Sequence, residues 1–189
     1  MHKQCPKKKV SKEEFAETLL HWVAMQISNK GIKQDARVFD LTSEAPLDSR
    51  EAKELFELNL SNSEQLMTLL DELLPLNLWI VVLACDVKLK DADQRTDCLN
   101  IFHRQFFDRI IKGTGEDFEQ WIESLELKYN EYNKAAKKNP LALAYLIQNN
   151  LHGQGPPKAI AQFQINLYLE KTLKTLMEVL DRLEIDRND

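Results

Sequence analysis

Glycine is scarce in this 189-residue chain: there are 5, where average usage would give about 13. Glycine supplies the positive-φ turns and phosphate-cradling loops of dinucleotide-binding and P-loop folds, so those folds are disfavoured. Cysteine is scarcer still. Cys5, Cys85 and Cys98 are odd in number and contain no C-x-x-C pair, which excludes a disulfide scaffold. Long apolar runs are missing as well. The longest, Leu78 to Cys85, has eight residues, whereas a membrane span needs about 20. The N-terminus lacks the apolar stretch of a signal peptide. A reducing, cytoplasmic, soluble setting is therefore expected, with no membrane contact.

Catalytic signatures are absent too. The chain holds no G-x-G-x-x-G, G-x-x-x-x-G-K, G-x-S-x-G or H-E-x-x-H. Di-iron bundles need Glu-x-x-His, because that spacing turns both ligands to one helix face. Thr18, Asn100 and Asn149 stand three residues before His21, His103 and His152, so the motif fails. Glu17 and His21 form one i,i+4 pair, which reads as a surface hydrogen bond. No metal and no cofactor is expected.

The net charge is −5, and the first ten residues carry Lys3, Lys7, Lys8 and Lys9 without an acid, leaving −9 on residues 11–189. A body this acidic has no general attraction for phosphate backbones, so nucleic-acid binding is unlikely on these grounds. Residues 1–10 read as a disordered basic tail and 11–189 as a single helical domain, with a sub-boundary at 153–157.

What the chain does have is apolar residues at helical spacing. Ser11 and Glu14 form an S-x-x-E capping box ahead of a helix over 12–30, whose face is Phe15, Leu19, Trp22, Val23 and Ile27. Residues 32–46 are irregular, with a short strand or extended chain at 37–41. Asp48 and Glu51 open a short helix to about residue 60. Ser61 and Glu64 cap the next helix, which Pro75 breaks or kinks. Residues 76–89 are apolar on all sides and predict a central buried helix, although the β-branched run also permits a strand. Helices follow over 92–112, 116–138 and from Pro140. The Gly153–Pro157 loop then separates a last helix reaching about residue 184, roughly 40 Å long. The predicted fold is all-α: a single bundle of six or seven helices with a long C-terminal helix.

Several constellations offer candidate sites. Asp86, Asp91, Asp93 and Asp97 cluster at a turn, but Arg95, Thr96 and Phe102 occupy three required positions of a calcium loop. Helix capping explains the cluster more simply. Cys85 and Cys98 are equidistant from a turn near 91–92 and are placed to face each other, as a thiol pair or as inert core. His103 and Arg104, with Tyr129 and Tyr145, form a candidate pocket lining between helices. On the last helix Leu169, Leu173, Leu176, Leu180 and Leu183 repeat in steps of four and three, an a/d seam. Tyr168, Met177 and Val179 widen its apolar surface.

The leading expectation is a cytoplasmic interaction protein, an adaptor or regulatory subunit, whose partner is another protein or a second copy in a homodimer through the C-terminal seam. The alternative is a helical-bundle enzyme or a small-ligand or metal-binding protein with its site between helices.

Overall fold

The computed structural model describes residues 7–27, 63–156 and 158–186. Among these it is all-α apart from two three-residue strands. The helices are α1 (Lys12–Ile27), α2 (Ser63–Lys88), α3 (Ala92–Phe106), α4 (Phe118–Lys138), α5 (Pro140–His152) and α6 (Ala159–Leu180). One apolar core runs through the bundle. The extended segment expected at 37–41, the short helix at 48–60, Cys5 and the Ser61 cap lie outside the described residues.

The helix starts follow the capping chemistry of the sequence. The Glu14 amide donates to Ser11 Oγ at 3.1 Å, and the Ser11 amide donates back to the Glu14 carboxylate at 3.2 Å. Asp91 accepts from the Gln94 amide, and Asp117 from those of Glu119 and Gln120. Asn139 accepts from the Ala142 amide, with Pro140 in the first turn. Each side chain satisfies an amide that has no intrahelical acceptor. Gly115 (φ 89°) and Gly153 (φ 76°) take positive φ where helical runs stop.

Pro75 does not break the chain. α2 runs through it for 26 residues. A proline inside a helix costs about 3 kcal/mol, because it has no N–H for the carbonyl four residues earlier. Here the neighbours outweigh that cost. Leu69, Leu73, Leu76 and Leu78 are fully buried, each worth about 2 kcal/mol. The β-branched stretch is helical as well. α2 contacts all five other helices and is the hub of the bundle. By length and composition Met67–Lys88 is apolar enough to cross a membrane, yet 67% of its most apolar stretch is buried inside the protein.

Two expectations about the chain ends are corrected. Residues 8–10 are not part of a disordered tail. They form β1 (Lys8–Val10), which pairs in parallel with β2 (Leu183–Ile185). Val10 lies opposite Ile185 and both are buried, while Lys9 lies opposite Glu184 in solvent. The last helix accordingly stops at Leu180, about 33 Å long, and does not reach residue 184. Alternation of Leu183, Glu184 and Ile185 buries Ile185 in a strand, so the chain leaves the helix at Asp181. The Lys88 ammonium holds Asp181 at 2.6 Å and depresses its pKa, with help from Lys7.

Buried polar groups orient α2 within the bundle. Glu72 is 2% exposed. Its carboxylate accepts from the Tyr132 hydroxyl at 3.0 Å, from the Asn150 amide at 2.9 and 3.0 Å, and from Lys128 at 3.3 Å. Asn77 donates to the Leu73 carbonyl and to the Tyr168 hydroxyl on α6. Trp79 Nε1 donates to Asn133 on α4. Glu72→Ala should cost about 3 kcal/mol in chemical denaturation, since it strands the Tyr132 hydroxyl and the Asn150 amide. Glu72→Gln should cost less, because its oxygen still accepts from both. Equal losses for the two variants would contradict this pinning role.

Candidate functional site

Among the described residues, none of the four expected to line a pocket borders either of two surface depressions. His103 and Tyr129 do meet. His103 Nδ1 lies 2.8 Å from the Leu99 carbonyl, which can only accept, so Nδ1 carries the proton. Nε2 then accepts from the Tyr129 hydroxyl at 3.1 Å. Burial pushes the imidazole pKa down to about 4 and the Tyr129 phenol well up. Around the imidazole stand Phe102, Trp121 and Tyr129, and Phe106 stacks on Trp121 at 6.0 Å. The pair is thus a satisfied element of the aromatic seam between α3 and α4. Arg104 turns away and places its guanidinium 3.5 Å over the Phe118 ring, a cation–π contact. Tyr145 donates to the Gly155 carbonyl and ties down the loop after α5.

Cys85 and Cys98 are both buried and unbridged. They lie near enough that Cys98 adds to the upward shift of Cys85. Burial raises the two thiols to about 12 and about 11. Protonated thiols are poor nucleophiles and poor metal ligands. Three of the four clustered aspartates are engaged as well. Asp91 caps α3, Asp86 pairs with Arg95 at 3.0 Å, and Asp97 pairs with Lys12 at 2.9 Å. No group of three or more His, Cys, Asp or Glu suited to a metal occurs among the described residues.

The leucine seam of the last helix faces mostly inward. Leu176 and Leu180 are fully buried, while Leu169, Leu173 and Leu183 are half-buried against the core, the last of them on β2. The seam closes the bundle on itself. Another face of α6 carries the exposed apolar residues: Ile160 is 72% exposed, Phe163 63% and Leu167 47%. Their spacing of three and four aligns them on one side of the helix.

Beside that row runs an apolar groove of about 520 Å³. Trp79, Ile80 and Leu83 of α2 form one wall, Pro140 and Leu143 of α5 an end, and Phe163, Leu167 and Leu173 of α6 the other wall. Asn166 and Glu170 are its polar groups on α6. None of His103, Arg104, Tyr129 or Tyr145 lines it. Sequence reasoning missed this site. Ile160, Phe163 and Leu167 precede the seam and follow the same helical rhythm, so the exposed and buried faces read alike. A second depression, of about 410 Å³, is bordered by Glu14 and Glu17. Both carboxylates are taken, by the Ser11 amide and by Arg109 at 2.6 Å.

No known protein family matches the chain, and no curated protein or solved structure resembles it closely enough to count as a match.

Two outcomes follow from these geometries. His103 has its pKa lowered on folding, so its contribution to stability is present above the unfolded value of about 6.5 and lost as the pH falls toward 4. Between pH 7 and pH 5 the protein should lose about 2 kcal/mol more in urea unfolding than a His103→Gln variant does. Equal losses would mean that the imidazole is solvated. Iodoacetamide should leave Cys85 and Cys98 unlabelled in the native protein and label both in denaturant, as mapped by peptide mass; fast native labelling of either would contradict their burial.

Proposed function

We propose that this chain is a protein-interaction protein, an adaptor or regulatory subunit of the cytoplasm, that receives an apolar helix of another polypeptide in the groove between α2, α5 and α6. One observation carries the reading: Phe163 and Leu167 line an apolar trough while standing in solvent, and the exposed Ile160 precedes them on the same helix side. Large apolar side chains exposed singly are ordinary, but a contiguous apolar patch on a soluble surface marks a docking site. Helices dock by laying residues at i, i+3, i+4 and i+7 into such grooves. A trough walled by two helices suits that geometry. The two buried, protonated thiols fit a reducing compartment.

The interaction element is still the last helix, as the sequence suggested, but the face differs. Leu176 and Leu180 already serve the chain's own core, so they are not free to hold a second copy. Leu169 and Leu173 touch both the core and the groove.

The test uses a designed amphipathic peptide with leucines spaced three and four apart and glutamine elsewhere. Titrated into the protein, it should change the fluorescence of Trp79 saturably. The double variant Phe163→Asp with Leu167→Asp should lose that response and keep its melting temperature. Leu176→Asp, by contrast, should abolish cooperative melting, because it puts a charge in the core. Peptide binding unaffected by the Phe163 and Leu167 changes would overturn the proposal. Light scattering that showed a dimer broken by those same changes would identify a second copy as the occupant instead.

A further inference from the structure

The groove has a charge preference, and this inference rests on the docking role just proposed. Among its twelve lining residues Glu170 is the one that carries charge. It is exposed, on the α6 wall of the groove, one residue after Leu169 and one turn before Leu173. Its carboxylate makes no ion pair with a described residue, although Lys174 stands one turn further on. Four other described carboxylates are engaged by cations of their own chain: Glu17 by Arg109, Asp97 by Lys12, Asp86 by Arg95 and Asp181 by Lys88. An exposed, unpaired carboxylate beside an apolar trough offers a docked partner's cation an ion pair.

The long-range field agrees in sign. The chain carries −5 overall. An acidic protein raises the encounter rate of basic partners and lowers that of acidic ones. Lys137 and Lys138 also stand near the groove, in the last turn of α4. Their positions there are accounted for by the negative end of that helix, and neither side chain lines the trough. We infer that the partner is a basic amphipathic helix: its apolar residues fill the space between Trp79 and Leu167, and a lysine or arginine on its flank meets Glu170. A second copy of this acidic chain would bring like charge to the same place. That disfavours self-pairing through the groove.

The experiment compares two further peptides with the leucine face of the neutral one, carrying lysine or glutamate at the flanking positions. Affinities are measured by fluorescence anisotropy on the full chain at low and at physiological salt. The lysine peptide should bind about fivefold tighter than the neutral peptide at low salt, as expected of a single solvent-accessible ion pair, and the advantage should shrink as salt rises. The glutamate peptide should bind more weakly than the neutral one. Glu170→Gln should remove most of the lysine peptide's advantage over the neutral one, and Glu170→Lys should reverse the order. Glu170 is exposed, so both variants should fold, which circular dichroism checks. If the neutral peptide binds and the lysine peptide binds no better, or Glu170→Gln changes nothing, the charge inference is wrong and the docking groove stands. If none of the three binds, both fall.

Discussion

A helical stretch that is apolar on nearly every side has to be covered on nearly every side, and residues 76–85 of α2 impose that constraint on the rest of the chain. Leu69, Leu73, Leu76, Leu78, Ile80, Val81, Ala84 and Cys85 are all essentially inaccessible to solvent. No single neighbour can cover so wide a surface, so the other five helices are arranged around it. The same burial keeps Pro75 inside an unbroken helix. It also explains why a segment with the composition of a membrane span lies at the centre of a bundle. The groove is the place where this cover is incomplete: Trp79, Ile80 and Leu83 are reached from α5 and α6, but a trough remains between the walls.

Apolar packing alone would leave the rotation of α2 loosely specified. Three polar groups on it each point to a partner on another helix: Glu72 to α4 and α5, Asn77 to α6, and the Trp79 indole to α4. A buried carboxylate or amide is costly unless paired, so only one rotation satisfies all three. The electrostatic cost remains visible at Glu72. Desolvation raises its pKa despite the donors around it. A raised acid pKa means that its contribution to stability falls as the pH climbs through the folded value. His103 acts in the opposite sense, losing stability toward acid. The two groups together narrow the pH range over which the bundle is most stable.

Much of this was legible in the residues. Ser11 with Glu14, Asp91, Asp117, and Asn139 before Pro140 state where helices begin, because the chemistry of a cap is local. The burial of most of 76–85 followed from its apolarity, while Asp86 and Val87 beyond it are exposed. Three features were not legible, each for a physical reason. Pro75 signals a break by local rules, and only tertiary burial overrides it. β1 and β2 are three residues each and lie some 170 positions apart, so no local pattern announces their pairing. The helical repeat of the last helix, read as an interface seam, fixes which residues align but not which side meets the core. Ile160, Phe163 and Leu167 differ from Leu176 and Leu180 only in what happens to pack against them. His103 and Tyr129 meet through a hydrogen bond within the aromatic seam, whereas Arg104 is held over Phe118 and Tyr145 by the Gly155 carbonyl.

The most direct test of α2 as the hub is native-state hydrogen exchange resolved along the chain. Amides of residues 76–85 should exchange last, at rates set by global unfolding, and should show the same denaturant dependence as the whole protein. Exposed turns of α4 should open earlier. Exchange at 76–85 as fast as in α4 would mean that α2 is not buried as described, and the bundle organised around it would have to be abandoned.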